Sequence, residues 1–214
     1  MNFLKAHGEM CMPGELKMSP SIARRLTHGA HDRLQPRRLR LKPLDRDAAR
    51  ESLLLLKEVM DRRGIKFWLI YGTLLGAVRD KNFIAGDNDI DLGFYFDDVE
   101  EIYKALLELQ TLDFDIFRVT ADSTYVQVRR NGVYIDMALW SQQHETMWRC
   151  GEYYEPNNFF SDLVDWPFLD TTFLVPREYE EYLRVHYYGD KWKTPDPSCK
   201  RAKMFMVRRK RKTT

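Results

Sequence analysis

Ile70–Phe96 reads IYGTLLGAVRDKNFIAGDNDIDLGFYF, and Asp87, Asp89 and Asp91 fall there on alternate positions. Asp89 and Asp91 sit inside a run, DIDLGFYF, that otherwise has the composition of a buried β-strand. Each unpaired charge in such a place costs several kcal/mol. The pattern therefore requires something that neutralises the carboxylates.

Side chains at i and i+2 of a strand share a face, so Asp89 and Asp91 project together while Ile90 and Leu92 turn into the core. Downstream, VYIDMALW (Val133–Trp140) sets Asp136 in a second strand, between Ile135 and Met137. Three aspartates from two strands on one face make a hard, oxygen-only site, which suits Mg²⁺ or Mn²⁺ and not zinc. Without a cation, repulsion between the carboxylates forces one to stay protonated.

Upstream, IKFWLIY reads as a strand bounded by Gly64 and Gly72, and TLLGAVRD as a short helix starting at Thr73. Gly72 and Thr73 then occupy a strand-to-helix turn, where free N–H groups, the positive helix end and a hydroxyl offer a cradle for phosphate. Arg79 and Lys81 are candidates to pair with phosphate, or else to bridge to the neighbouring aspartates. A lone D-x-D is equally a pair of solvated strand-end charges, Gly-Thr an ordinary turn, and Asp136 an exposed edge residue. Their order, with an apolar flank beside each aspartate, favours the apparatus of phosphoryl or nucleotidyl transfer.

The rest of the chain supports one catalytic domain. Its 214 residues are 44% apolar and 13% aromatic, enough to bury a core. A helix is expected over LDRDAARESLLLLKEVMDRRG, capped by Asp45 or Asp47, with Leu53, Leu56, Val59 and Met60 as its apolar stripe and Gly64 as its end. Further helices are expected over DDVEEIYKALLELQTL and, with Pro176 near its start and Gly189 beyond its end, over VPREYEEYLRVHYYG. FDIFRV reads as a strand, and TYVQVRR-NG-VYIDMALW as a hairpin turning at Asn131-Gly132. Residues 142–172 give no clear period. The order implies an α+β domain with a mixed sheet covered by helices.

Charge divides the chain into three. Residues 1–42 hold nine basic and three acidic side chains, residues 200–214 eight basic and none acidic, and residues 43–199 between them 17 basic and 29 acidic. We expect a basic, poorly ordered extension over 1–42, the catalytic domain over 43–199, and a basic tail over 200–214. The ends suit an anionic membrane, at roughly 1 kcal/mol per Lys or Arg near its surface, or else simply solvent. Cys11, Cys150 and Cys199 form no C-x-x-C pair, which points to a reducing compartment and away from a disulfide framework. The longest apolar run, Phe67–Val78, is too short to cross a bilayer, and no secretory signal is visible. A cytoplasmic protein, peripheral at a membrane if its ends bind one, is the expectation.

The stretch YGTLLGAVRDKNFIAGDNDIDLG (71–93) closely resembles the signature of the LicD/fukutin family. YIDMALW (134–140), LVPREYEEYLRVHYYGDKW (174–192) and TPDP (194–197) follow in the family's order, and the resemblance spans about residues 50–197. It implies a nucleotidyltransferase-like fold related to the palm of DNA polymerase β. It also implies Mg²⁺- or Mn²⁺-dependent transfer of a phospho-alcohol, such as phosphocholine or ribitol phosphate, from a CDP-activated donor to a glycan or lipid-linked sugar. On that basis Asp89 and Asp91 are the metal-binding pair, Asp136 the third carboxylate, Gly72 and Thr73 the phosphate-binding turn, and Arg79 the motif arginine. Two departures stand out: Tyr71 replaces the first glycine of a pair, and Ala85-Gly86 replaces Pro-Trp before the aspartates. One alternative is a nucleotidyltransferase that moves a nucleotide from an NTP to a small molecule or protein. Another is a non-catalytic RNA-binding module using KRAKMFMVRRKRK, which the acidic body disfavours.

Overall fold

Asp45 accepts from the backbone N–H groups of Asp47 at 3.0 Å and Ala48 at 3.2 Å, and so caps helix α1 (Arg46–Arg62). The expected stripe of Leu53, Leu56, Val59 and Met60 is fully buried. The computed structural model describes residues 42–120, 122–187 and 189–195. The basic stretches expected as an extension and a tail lie outside the described residues, apart from Lys42.

Strand β1 (Phe67–Leu69) leads into the one-turn helix α2 (Tyr71–Leu75) and a π-helical turn over Gly76–Asp80. Then come β2 (Asp89–Tyr95), α3 (Val99–Gln110), β3 (Asp115–Val119), β4 (Tyr125–Arg130) and β5 (Val133–His144). Asn131 (φ 51°) and Gly132 (φ 80°) are both left-handed, as the type I′ turn between β4 and β5 requires. Residues 142–172, which showed no period, complete β5 and hold β6 (Met147–Cys150), β7 (Tyr153–Pro156), the single turn α4 (Asn157–Phe160) and β8 (Leu163–Phe168). β9 (Thr171–Pro176) and α5 (Tyr179–His186) follow. Pro176 thus closes a strand, and α5 starts after it, at Tyr179.

The main path of the sheet runs β3-β4-β5-β2-β1-β9-β8. β2 pairs with β5 and β1 with β9 in parallel, while the other neighbours on this path are antiparallel. The far end of β5 leaves this path to pair with β6, which pairs with β7. The result is the expected α+β arrangement, a mixed sheet flanked by helices. Among the described residues no helix is long and apolar enough to cross a membrane.

The two faces of the sheet differ. Ile90, Leu92, Phe94, Ile135, Met137 and Leu139 are all fully buried on the core face. On the other face, Trp68 of β1 lies opposite Gly93 of β2, and its indole occupies the space a side chain at 93 would need. Trp68 packs on Tyr95 (ring centroids 4.7 Å apart) and Phe160 (5.1 Å), and Phe160 on Trp140 (4.9 Å). This aromatic block fills one end of that face, and the aspartates stand at the other. A Cβ at Gly93 would stand 2.4 Å from the Trp68 ring. Gly93→Ala is therefore expected to cost about 1–3 kcal/mol through overpacking, read as a lower denaturant midpoint at unchanged slope.

Candidate active site

Parallel pairing of β2 and β5 sets Asp91 directly opposite Asp136 and Asp89 opposite Tyr134. Register partners share a face, so Asp89, Asp91 and Asp136 all stand on the same side of the sheet, with Ile90 and Ile135 fully buried on the other. The Asp91 carboxyl is held well above the ordinary carboxylate range, first by burial and then by the charges of Asp89, Asp136 and Asp87. Burial also raises the Asp136 carboxyl, opposed by Tyr125, Gln127 and Arg118.

The strand-to-helix turn holds this cluster closely. Gly72 N–H donates to Asp91 Oδ2 at 3.3 Å, and Asp91 N–H donates to Thr73 Oγ1 at 2.8 Å. A Cβ at Gly72 would sit 2.5 Å from Asp87 Oδ2, so only glycine lets the carboxylates approach the backbone here. Gly72 and Thr73, expected to cradle phosphate, are hydrogen-bonded to the carboxylate strand, and Thr73 is buried.

Arg79 and Lys81 each have a partner near the turn. Arg79 forms a two-pronged pair with Asp80, Nε to Oδ1 at 2.7 Å and a terminal nitrogen to Oδ2 at 2.9 Å. Lys81 lies over the Trp166 ring, 4.9 Å from its centroid.

Some neighbours of the cluster escaped the sequence reading. Gln127 Nε2 donates to Asp136 Oδ1 at 2.5 Å, because the β4–β5 hairpin pairs the two residues. Counting back from the Asn131-Gly132 turn would have found it. The Tyr125 hydroxyl, raised by burial and then by Asp136, Asp91 and Asp89, flanks the cluster on the same hairpin. Tyr187, just beyond α5, is raised by burial and then by Asp91, Asp87 and Asp89, so it flanks the cluster from the chain's other end. Nothing local in the sequence marks Tyr187.

Behind the turn, Tyr71 adopts φ 46°, a left-handed conformation that costs a non-glycine residue about 1–2 kcal/mol. Its ring packs on Tyr182 (6.0 Å) and His186 (5.5 Å). His186 stacks on Tyr182 at 4.2 Å, holds the Tyr182 carbonyl through Nδ1 at 2.7 Å, and meets Glu155 Oε1 through Nε2 at 2.8 Å. Since a carbonyl only accepts, Nδ1 carries a proton. This packed group fixes the residue preceding Gly72.

Residues 64–178, over half of the chain, match the family described as LicD/FKTN/FKRP, nucleotidyltransferase domain. The chain belongs to the LicD family. Human relatives of this LicD chain include ribitol-5-phosphate transferase FKTN, 30% identical over 162 residues that make up 70% of this chain and 34% of the relative. Human ribitol 5-phosphate transferase FKRP is 28% identical over 160 residues, 65% of this chain and 31% of the relative. The LicD chain thus spans about a third of the length of these curated relatives. Among solved structures, the solution structure of the antibiotic-resistance factor ANT(2'')-Ia matches with a TM-score of 0.47 and 13% identity, over 64% of this chain and 73% of that one.

The carboxylates of this LicD chain fit a hard divalent cation in chemical type. They are all oxygen donors, they repel one another, and Asp91 is half-buried at the centre of the group. Among the described residues they do not close into a cage of three ligands.

Proposed function

We propose that the chain transfers a phospho-alcohol, of the ribitol phosphate or phosphocholine kind, from a CDP-activated donor to a hydroxyl of a glycan or lipid-linked sugar. The observation that carries this reading is the Asp91–Asp136 register pair beside Asp89, on one face of a LicD-family sheet. The ribitol-phosphate transferase activity named for the human relatives agrees with it.

Asp89, Asp91 and Asp136 would hold Mg²⁺ or Mn²⁺, which when bound supplies positive charge for the phosphate oxygens. The acceptor oxygen attacks the phosphorus that bears the alcohol. The bond from that phosphorus to the bridging oxygen breaks, and CMP departs. Asp136 would take the acceptor's proton, and its carboxyl, raised by burial, is a stronger base than an ordinary aspartate. Gln127 fixes one of its oxygens. Gly72 and Thr73 serve the reaction by holding Asp91 in line.

The test is CMP release from CDP-ribitol and CDP-choline in the presence of a glycan acceptor, with and without chelator. Metal-dependent CMP release that Asp89→Asn reduces at least about 10²-fold, some 2.7 kcal/mol of barrier, is the expected result. Pyrophosphate release from an NTP, with no CMP from any CDP-alcohol, would replace this reading with nucleotidyl transfer.

A further inference from the structure

Strand β3 pairs with β4 through Ile116↔Val128 and then Arg118↔Gln127, so the register shifts by one residue between Ile116 and Arg118. Val119 then pairs with the fully buried Val126. Simple alternation would turn Arg118 toward the core side with Ile116. The bulge instead sets both Phe117 and Arg118 between two core-facing positions and brings Arg118 onto the face of Gln127. Bulges recur where a sheet must re-aim one side chain.

That face is the one with the aspartates. Asp91, Asp136, Gln127 and Arg118 form a single register row across β2, β5, β4 and β3. With strands about 4.8 Å apart, the backbone at Arg118 lies on the order of 10 Å from that of Asp136, within reach of a long side chain holding a diphosphate. The guanidinium is exposed, rests 5.7 Å from the Tyr125 ring centroid, and is near enough to Asp136 to favour its charged form. Among the described residues no carboxylate pairs with Arg118. By contrast, Arg129 on the same face is bound to Asp115 at 2.6 Å, and Arg79 is bound to Asp80. A planar fork of donors beside an oxygen-rich cation site suits phosphate oxygens, which it can bind two at a time.

We propose that Arg118 is the anion-binding arm of this site and grips the diphosphate of a nucleotide-activated donor, which therefore lies over the β3–β4 flank. The donor class rests on the reading above; the anion-binding role of Arg118 does not. The aromatic block takes the other end of the same face, and Arg118 is exposed on this flank.

Calorimetry of the full chain with Mg²⁺, titrated with CDP and separately with inorganic pyrophosphate, tests the assignment. Arg118→Ala should weaken both at least tenfold with unchanged Tm, Arg118→Lys should recover part of the loss, and Arg129→Ala should change neither. Wild-type affinity in Arg118→Ala would overturn the proposal, even if wild-type protein releases CMP from CDP-alcohols. Binding of pyrophosphate that depends on Arg118, without any binding of CDP, would uphold it while removing the CDP-donor reading. A wild-type chain that binds neither anion would overturn it outright.

Discussion

Asp91→Asn is expected to lower turnover at least about 10³-fold, some 4 kcal/mol of barrier, while making the metal-free protein more stable at neutral pH. The two effects share one cause. Asp91 is enclosed beside Asp89, Asp136 and Asp87, so its charge suits a cation and disfavours the apo fold. Its folded-state carboxyl is raised above the ordinary value of 3.8. The stability linked to this group is therefore fully present below that pH and is lost as pH rises through the folded value. Asparagine is neutral throughout, and its amide oxygen can still accept from Gly72 N–H. Thermal unfolding from pH 4 to 8 in chelator should show a falling Tm for wild type and a flatter profile for the variant. Undiminished turnover, or a variant less stable than wild type at pH 8, would refute the account of Asp91.

His186→Leu should be the most damaging single change away from the carboxylates. Glu155 and His186 are 4% and 1% exposed and face each other at 2.8 Å. Removing one member of such a buried pair strands the other, a loss of about 3–5 kcal/mol. For a domain of this size that lowers Tm by on the order of 10 °C. Replacing both by leucine should recover much of the loss, because neither member of the pair is then buried without the other. Circular dichroism melts of the single and double variants decide the matter: a single variant as stable as wild type would show that the pair contributes nothing. The group also packs against Tyr71, so the single variant should weaken the hold on Gly72 as well.

What could be read from the chain in advance was local. Asp45 announced its helix because a cap needs only the next turn, and Asn131-Gly132 announced its hairpin because few other residues accept two left-handed positions. Alternation placed Asp89 and Asp91 on one face and Ile90 and Leu92 on the other. The parallel pairings of β2 with β5 and β1 with β9 join distant segments, and no local signal fixes them. Residues 142–172 gave no period because their strands are short and their Trp148 and Phe160 are buried by distant aromatic residues of β1, β2 and β5 rather than by local alternation. Arg118 was hidden by the bulge, which breaks the alternation by which a strand is read. The hydrogen bonds of Gly72 and Thr73 to Asp91 and of Arg79 to Asp80 are contacts that spacing alone cannot disclose.

Asp91 and Asp136 stand side by side only because two strands without a shared hairpin lie parallel. The β4–β5 hairpin can zip up early, with Gln127 already against Asp136, and still lack its counterpart until the crossover has closed. A partly made or partly melted polypeptide of this kind would lack the Asp91–Asp136 neighbourhood altogether, because the two residues meet only when the crossover between β2 and β5 is complete.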